Sequence, residues 1–231
     1  MTLEEFKNIN KITFNNKALL EQAFIHRSYI NENPRTGLVH NERLEFLGDA
    51  VLELVVTEFL YEKYPHQNEG DLTAYRSALV NAVTLGELAT DLSFNDMIKL
   101  SKGEARDVHR ARSSILADAY EAFVGALYLD QGYMSTKAFI TETLLGKTED
   151  IIRKGLYKDA KSYVQEKAQE IYSLTPNYRV LSEEGPDHDK LFLIGIYFGE
   201  EKIAEGQGKS KQEAETSSAR NALIEKKWVT K

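Results

Sequence analysis

Residues 43–64 read RLEFLGDAVLELVVTEFLYEKY, apolar at helical spacing over about six turns and stopped by Pro65. A helix greasy on most of its faces has to be enclosed by other elements. This one also carries acids. With Glu42 at 0° on a helical wheel, Glu45 and Asp49 fall within a stripe roughly 60° wide. Phe46 and Leu52 border that stripe, and Leu44, Leu47, Ala50, Val51 and Leu54 fill most of the remaining circumference. A solvated acidic face has polar shoulders, and this one has apolar shoulders.

The surrounding sequence supplies more helix. ALLEQAFIHRSYI (18–30), with Asn15 and Asn16 as candidate N-caps, EGDLTAYRSALVNAVTLGELATDL (69–92) and SSILADAYEAFVGALYLDQG (113–132) all carry the helical period. Val and Ile do not alternate with polar residues anywhere in this half, so an all-α domain over 1–150 is expected. A second acidic pair, Asp118 and Glu121, lies on one face of the 113–132 segment at i and i+3. Ile115, Leu116, Ala119, Phe123 and Val124 surround it. Desolvated carboxylates massed together cannot all ionise without a compensating positive charge. Two readings stay open: tethered acids at helix edges, or an all-oxygen site for Mg²⁺ or Mn²⁺.

The chain has no cysteine, which removes disulfides and thiolate metal or redox chemistry. Its N-terminus lacks the basic and apolar regions of a signal peptide, and no stretch approaches the length of a membrane span. A soluble, cytoplasmic protein without membrane association is expected. The net charge of −7 argues at first against a nucleic-acid partner. It is unevenly spread: residues 1–156 carry a net of −6 and residues 157–231 a net of −1. Bound cations would offset the acidity of the first part.

After GKTEDIIRKGLYKD (146–159), a polar stretch read as containing the linker (151–157), the pattern changes. A helix over 160–173 precedes strands at 177–184, 190–199 and 201–208, joined by GPDHD and GEE turns. A last helix over 210–228 starts at Ser210, with Glu213 placed to complete a capping box. The result is a small α-β-β-β-α domain over 158–229.

NERLEFLGDAVL (41–52) resembles the signature helix of the ribonuclease III family, and LADAYEAFVGALYLD (116–130) its second catalytic helix. AFIHRSY (23–29), EGDLTAYRSALVN (69–81) and KGE (102–104) follow in the family's order, and the tail resembles its double-stranded RNA-binding domain. The resemblance implies that Glu45, Asp49, Asp118 and Glu121 bind the metal, with Asp49 and Glu121 catalytic and Glu121 the most critical. It also implies supporting acidic roles for Glu42 and Glu69. It gives Phe46 a place in the interface of a homodimer; the alternatives for Phe46 and Glu42 are core packing and a helix N-terminal acid. In the tail it implies RNA contacts from Gln165, Glu166, His188, Lys209 and Lys211. The basic cluster there is thinner than is usual in the family, since Gln212 and Glu213 follow Lys211.

A metal-dependent mechanism needs no side-chain nucleophile. His26 reads as a packed structural histidine rather than a general base, and His40 and His109 stand without paired ligand spacing. The loop before the second catalytic helix departs from the family's Gly-Gly pair, with Val108-His109 in its place, and carries Arg106, Arg110 and Arg112. Those arginines read either as phosphate contacts or as a solvated run. The expected activity is Mg²⁺-dependent cleavage of double-stranded RNA to 5′-phosphate and 3′-hydroxyl ends, in processing of ribosomal and messenger RNA. The competing readings are a duplex-RNA binder without activity and a hydrolase of small phosphate compounds.

Overall fold

The structure, a computed structural model, describes residues 1–106, 110–153, 160–186 and 190–228. Two compact units divide the chain, Met1–Glu149 and Asp150–Lys231.

The first unit is helical: α1 (Leu3–Ile9), α2 (Lys17–Ala23), α3 (Arg27–Glu32), α4 (Glu42–Lys63), α5 (Glu69–Leu79), α6 (Ala82–Asp91), α7 (Phe94–Met97) and α8 (Arg110–Thr143). Phe6, Phe24, Phe94 and Phe123 are buried at its centre and pack ring against ring, with centroids 4.8–6.1 Å apart. The helix α9 (Thr148–Arg153) follows.

Some expected helices are broken, each by an identifiable local bond. The 18–30 segment splits into α2 and α3 because Ile25 leaves the helical path to form a parallel bridge with Lys99. The 69–92 segment splits at Asn81, whose side chain accepts from the Thr84 N–H and donates to the Ser77 and Ala78 carbonyls. The helix expected at 113–132 continues to Thr143 and is interrupted only at Gly132, where φ is +76°. Of the two candidate N-caps, Asn16 takes the role, accepting from the Ala18 N–H. The Asn15 and Asn16 N–H groups themselves donate to Asp130. The polar stretch at 146–159 opens as structure, with a 3₁₀ turn at Leu145–Lys147 and then α9. Residues 154–159 lie outside the described residues.

In the second unit, α10 (Ala160–Tyr172), β1 (Asn177–Glu184), β2 (Leu191–Phe198), β3 (Glu201–Gly208) and α11 (Lys211–Glu225) follow in order. The strands form an antiparallel sheet in the order β1-β2-β3, with Val180 opposite Ile194 and Ile194 opposite Gly206. Ile196 and Phe198 pack onto Val164 and Ala168 of α10 and onto Ala219, Ala222 and Leu223 of α11. Ser210 caps α11 by accepting from the Glu213 N–H, but the Glu213 carboxylate accepts from the Lys209 N–H. The cap therefore forms without the expected reciprocal bond to Ser210. Among the described residues no helix is long and apolar enough to cross a membrane.

Candidate metal centre

The acidic residues converge because α4 and α8 touch backbone to backbone. A Cβ on Gly48 would lie 1.8 Å from the Glu121 carbonyl oxygen, and one on Gly125 would lie 2.1 Å from the Leu44 carbonyl oxygen. Only glycine fits at either position, and each sits within one turn of the acids. The start of α4 is fixed by Asn41, which is fully buried. Its N–H donates to the Ile25 carbonyl at 2.9 Å and its side-chain amide to the Ala23 carbonyl at 3.1 Å. Phe123, two residues beyond Glu121, anchors α8 in the aromatic core.

At this crossing, oxygens of Glu45, Asp118 and Glu121 lie within 4.8 Å of one another. All three side chains are half-buried. Burial pushes Glu45 up to about 7 and Glu121 up to about 8, and neighbouring carboxylates add to both shifts. Asp118 is raised chiefly by burial, with His26 acting against the shift. Among the described residues no Lys or Arg forms an ion pair with any of the three. An all-oxygen set with an uncompensated negative charge fits a hard divalent cation. Glu45, Asp118 and Glu121 would hold it. Asp49, exposed one turn along α4, stands outside the 4.8 Å group, but its charge acts on both Glu45 and Glu121.

The other acids on the expected list fall elsewhere. Glu42 is engaged by Arg27 at 3.1 Å and lies 3.6 Å from His40, so part of its charge is already answered. Glu69 is exposed at the start of α5, beside a cavity of about 460 Å³ lined also by Leu60, Tyr61, Leu72 and Arg76. It is not among the charges that shift Glu45 or Glu121. Sequence reasoning passed over Glu53, whose charge reaches Glu121. Its signal was present, since Asp49 and Glu53 repeat the i, i+4 spacing of Glu45 and Asp49.

Phe46 does not pack in the core: it is 82 % exposed, on the same surface of α4 as the exposed Leu54 and Tyr61. Arg112 donates through Nε to Asn95 at 2.7 Å. Arg106 is exposed in a 3₁₀ turn, the Arg110 side chain is not described, and Val108-His109 lie outside the described residues. In the second unit Gln165 and Glu166 are exposed on α10, and Lys209 and Lys211 are exposed at the start of α11. Lys211 extends over the Phe192 ring. His188 lies outside the described residues.

Residues 16–148 match the family described as Ribonuclease-III-like, and residues 160–226 match the double-stranded RNA binding motif. The chain belongs to the ribonuclease III family. Two curated members, each named Ribonuclease 3, show how far the likeness extends. The protein from Borreliella afzelii is 43 % identical over 96 % of this chain and 90 % of its own length. One from Streptococcus pneumoniae is 45 % identical over 94 % of this chain and 93 % of its own. Among solved structures, a nuclease domain of ribonuclease III from Campylobacter jejuni aligns with a TM-score of 0.55 and 37 % identity. It covers 61 % of this chain and 97 % of that domain. This ribonuclease III family member thus joins a helical nuclease domain to an α-β-β-β-α domain of the RNA-binding type.

Proposed function

We propose that the protein is a Mg²⁺-dependent endoribonuclease that cleaves double-stranded RNA, with Mn²⁺ able to replace Mg²⁺. The observation that carries this reading is the convergence of Glu45, Asp118 and Glu121, uncompensated, at the α4–α8 crossing of a ribonuclease III domain. A divalent cation held by these residues would supply activation of water and neutralisation of charge at the departing 3′ oxygen. The chain's part is to hold that charge in place: Glu45 and Asp49 from α4, Asp118 and Glu121 from α8. Asp49 and Glu121 are the catalytic acids of this reading, Asp49 joining as a ligand from its exposed position. Glu42 and Glu69 support from the periphery.

Attack by water on phosphorus, with the P–O3′ bond breaking, leaves 5′-phosphate and 3′-hydroxyl ends. The domain over 158–229 reads the wide minor groove of duplex RNA by shape, through Gln165, Glu166, His188, Lys209 and Lys211. The nuclease domain covers 1–150, with 151–157 between the two. An 82 % exposed phenylalanine beside the acids favours a homodimer in which Phe46 is covered by the second copy. Processing of ribosomal RNA precursors and messenger RNA in the cytoplasm is the role that follows.

The test is incubation of a long RNA duplex with the full-length protein, with Mg²⁺, with chelator, and beside Glu121→Ala. Cleavage to short 5′-phosphorylated duplexes is expected from the wild type with metal alone, and Glu121→Ala is expected to fall by a factor of about 10³. The mass in solution is expected to be twice the 26.2 kDa of the chain. A duplex that is retarded on a native gel but never cut overturns the nuclease reading in favour of a binder.

A further inference from the structure

The two helices of the second unit are tied together beside the residues expected to touch RNA. Lys161 Nζ of α10 lies 2.6 Å from a carboxylate oxygen of Glu215 on α11. Lys161 stands one turn before Gln165, and Glu215 one turn after Lys211. Residues four apart on a helix share a face. The ion pair therefore lies on the side of α10 and α11 that carries Gln165 and Lys211. The start of α11 is fixed there, since a Cβ on Gly208 would lie 2.5 Å from the Ala214 nitrogen and the first turn rests directly on β3.

The lysine is placed to serve another acceptor. Its ammonium sits 5.0 Å from the centre of the Tyr178 ring of β1, which steadies the head whichever oxygen it meets. Both members of the pair are about a third exposed, so the contact opens to solvent. A carboxylate oxygen and a phosphate oxygen accept from the same N–H donors. The neighbouring acid, Glu213, is turned to the Lys209 backbone N–H. Glu215 is thus the acid of this face that takes up a lysine's charge.

The pair of Arg179 and Glu200, at 3.0 Å, offers a contrast within the same unit. The Arg179 guanidinium stacks on the Tyr197 ring at 4.5 Å. Tyr197 alternates along β2 with Ile196 and Phe198, which pack onto the helices. Arg179 and Glu200 therefore belong to the opposite side of the sheet.

We propose that Glu215 occupies, on Lys161, the place of a phosphate of duplex RNA, and so lowers the affinity of this domain for its ligand. The inference rests on the duplex-RNA reading of the second unit. While the carboxylate holds the ammonium, Lys161 neutralises no phosphate, and its charge adds nothing to the counterions released on binding.

Binding of a short RNA duplex to the full-length protein is measured against salt concentration, in chelator, with thermal midpoints alongside. Glu215→Gln frees Lys161, and the affinity is expected to rise about threefold. The slope of log affinity against log salt is expected to steepen by about 0.9. Glu200→Gln makes the same change of charge by freeing Arg179 on the far side of the sheet, and is expected to leave both quantities unchanged. Adding Lys161→Met to Glu215→Gln is expected to abolish the gain. An unchanged affinity in Glu215→Gln overturns the proposal. An equal gain in Glu200→Gln overturns it too, because the acid would then act through net charge alone. A gain that survives Lys161→Met overturns it because the freed lysine would not be what binds. Lys211→Ala tests the reading beneath, with weaker binding and a shallower slope expected. Duplex affinity indifferent to Lys211→Ala removes the RNA face itself, and the role of Glu215 with it.

Discussion

Carboxylates on the surface of the second unit and at the α4–α8 crossing of the first meet opposite fates. In the second unit Glu170, Glu183, Glu200 and Glu215 each lie within 3.0 Å of a Lys or Arg nitrogen, and Glu205 pairs with Lys202. In the first unit Glu45, Asp118 and Glu121 are more deeply set and have no such partner among the described residues. Exposed pairs contribute little to stability and can be formed almost anywhere. Buried, unpaired acids are destabilising until something positive arrives. A fold that pairs many of its surface acids and leaves its inset ones unanswered concentrates the deficit at one place, where a ligand meets it.

The contrast breaks most completely if the helices that create it are pushed apart. Gly48→Ala places a methyl group against the Glu121 carbonyl, where no flexible side chain can give way. A loss of about 3 kcal/mol in stability is expected from overpacking, measured by denaturant unfolding. Displacing Glu45 and Glu121 relative to each other is expected to lower cleavage by about 100-fold. A variant with wild-type stability and activity would mean that the close crossing does not hold the acids together.

The next effect is smaller and depends on pH. Glu45 and Glu121 bind their protons more tightly folded than unfolded, since folding raises them from 4.5 to about 7 and about 8. Their contribution to stability is full below about pH 4.5 and is lost as pH rises through about 7 to 8. In chelator, Glu121→Gln is therefore expected to be more thermostable than wild type at pH 8.5, by about 3 °C. At pH 5 the two are expected to unfold together. Added Mg²⁺ should raise the midpoint of the wild type at the higher pH and leave Glu121→Gln little changed. A difference between the two proteins that is flat across this range would mean that Glu121 is not desolvated.

How much of this could be read in the sequence depends on how local each feature is. The strands were legible to within a residue or so at their ends, because alternation and turn residues act over a few positions. The acid pairs on α4 and α8 were legible for the same reason. The break at Ile25 was not, because it comes from a bridge to Lys99, far along the chain. Nor was the ion pair that engages Glu42, since Arg27 lies on a different helix. Gly48 and Gly125 stand plainly in the sequence, but small residues in an apolar helix signify a crossing only once the partner helix is known. Helical spacing put Phe46 beside the acids, and it could not tell whether another helix covers that side chain.

The least effect sharpens the comparison from its other side. Lys161 and Glu215 join α10 to α11 at 2.6 Å, with both side chains about a third exposed. It is among the less exposed ion pairs of the second unit, and so a fair upper measure of what pairing contributes there. Glu215→Ala is expected to cost about 0.5 kcal/mol, with the loss shrinking in 1 M salt. Glu200→Ala, on a still more exposed pair with Arg179, is expected to change the unfolding midpoint less than Glu215→Ala does. Both are read by denaturant unfolding at neutral pH, in chelator and then with Mg²⁺. Neither substitution should alter the wild-type response to the cation, because each acid already has its counter-charge within the fold. A Mg²⁺-dependent midpoint change in either variant that the wild type lacks would mean the second unit's acids also attract cations, and the division drawn here would fail.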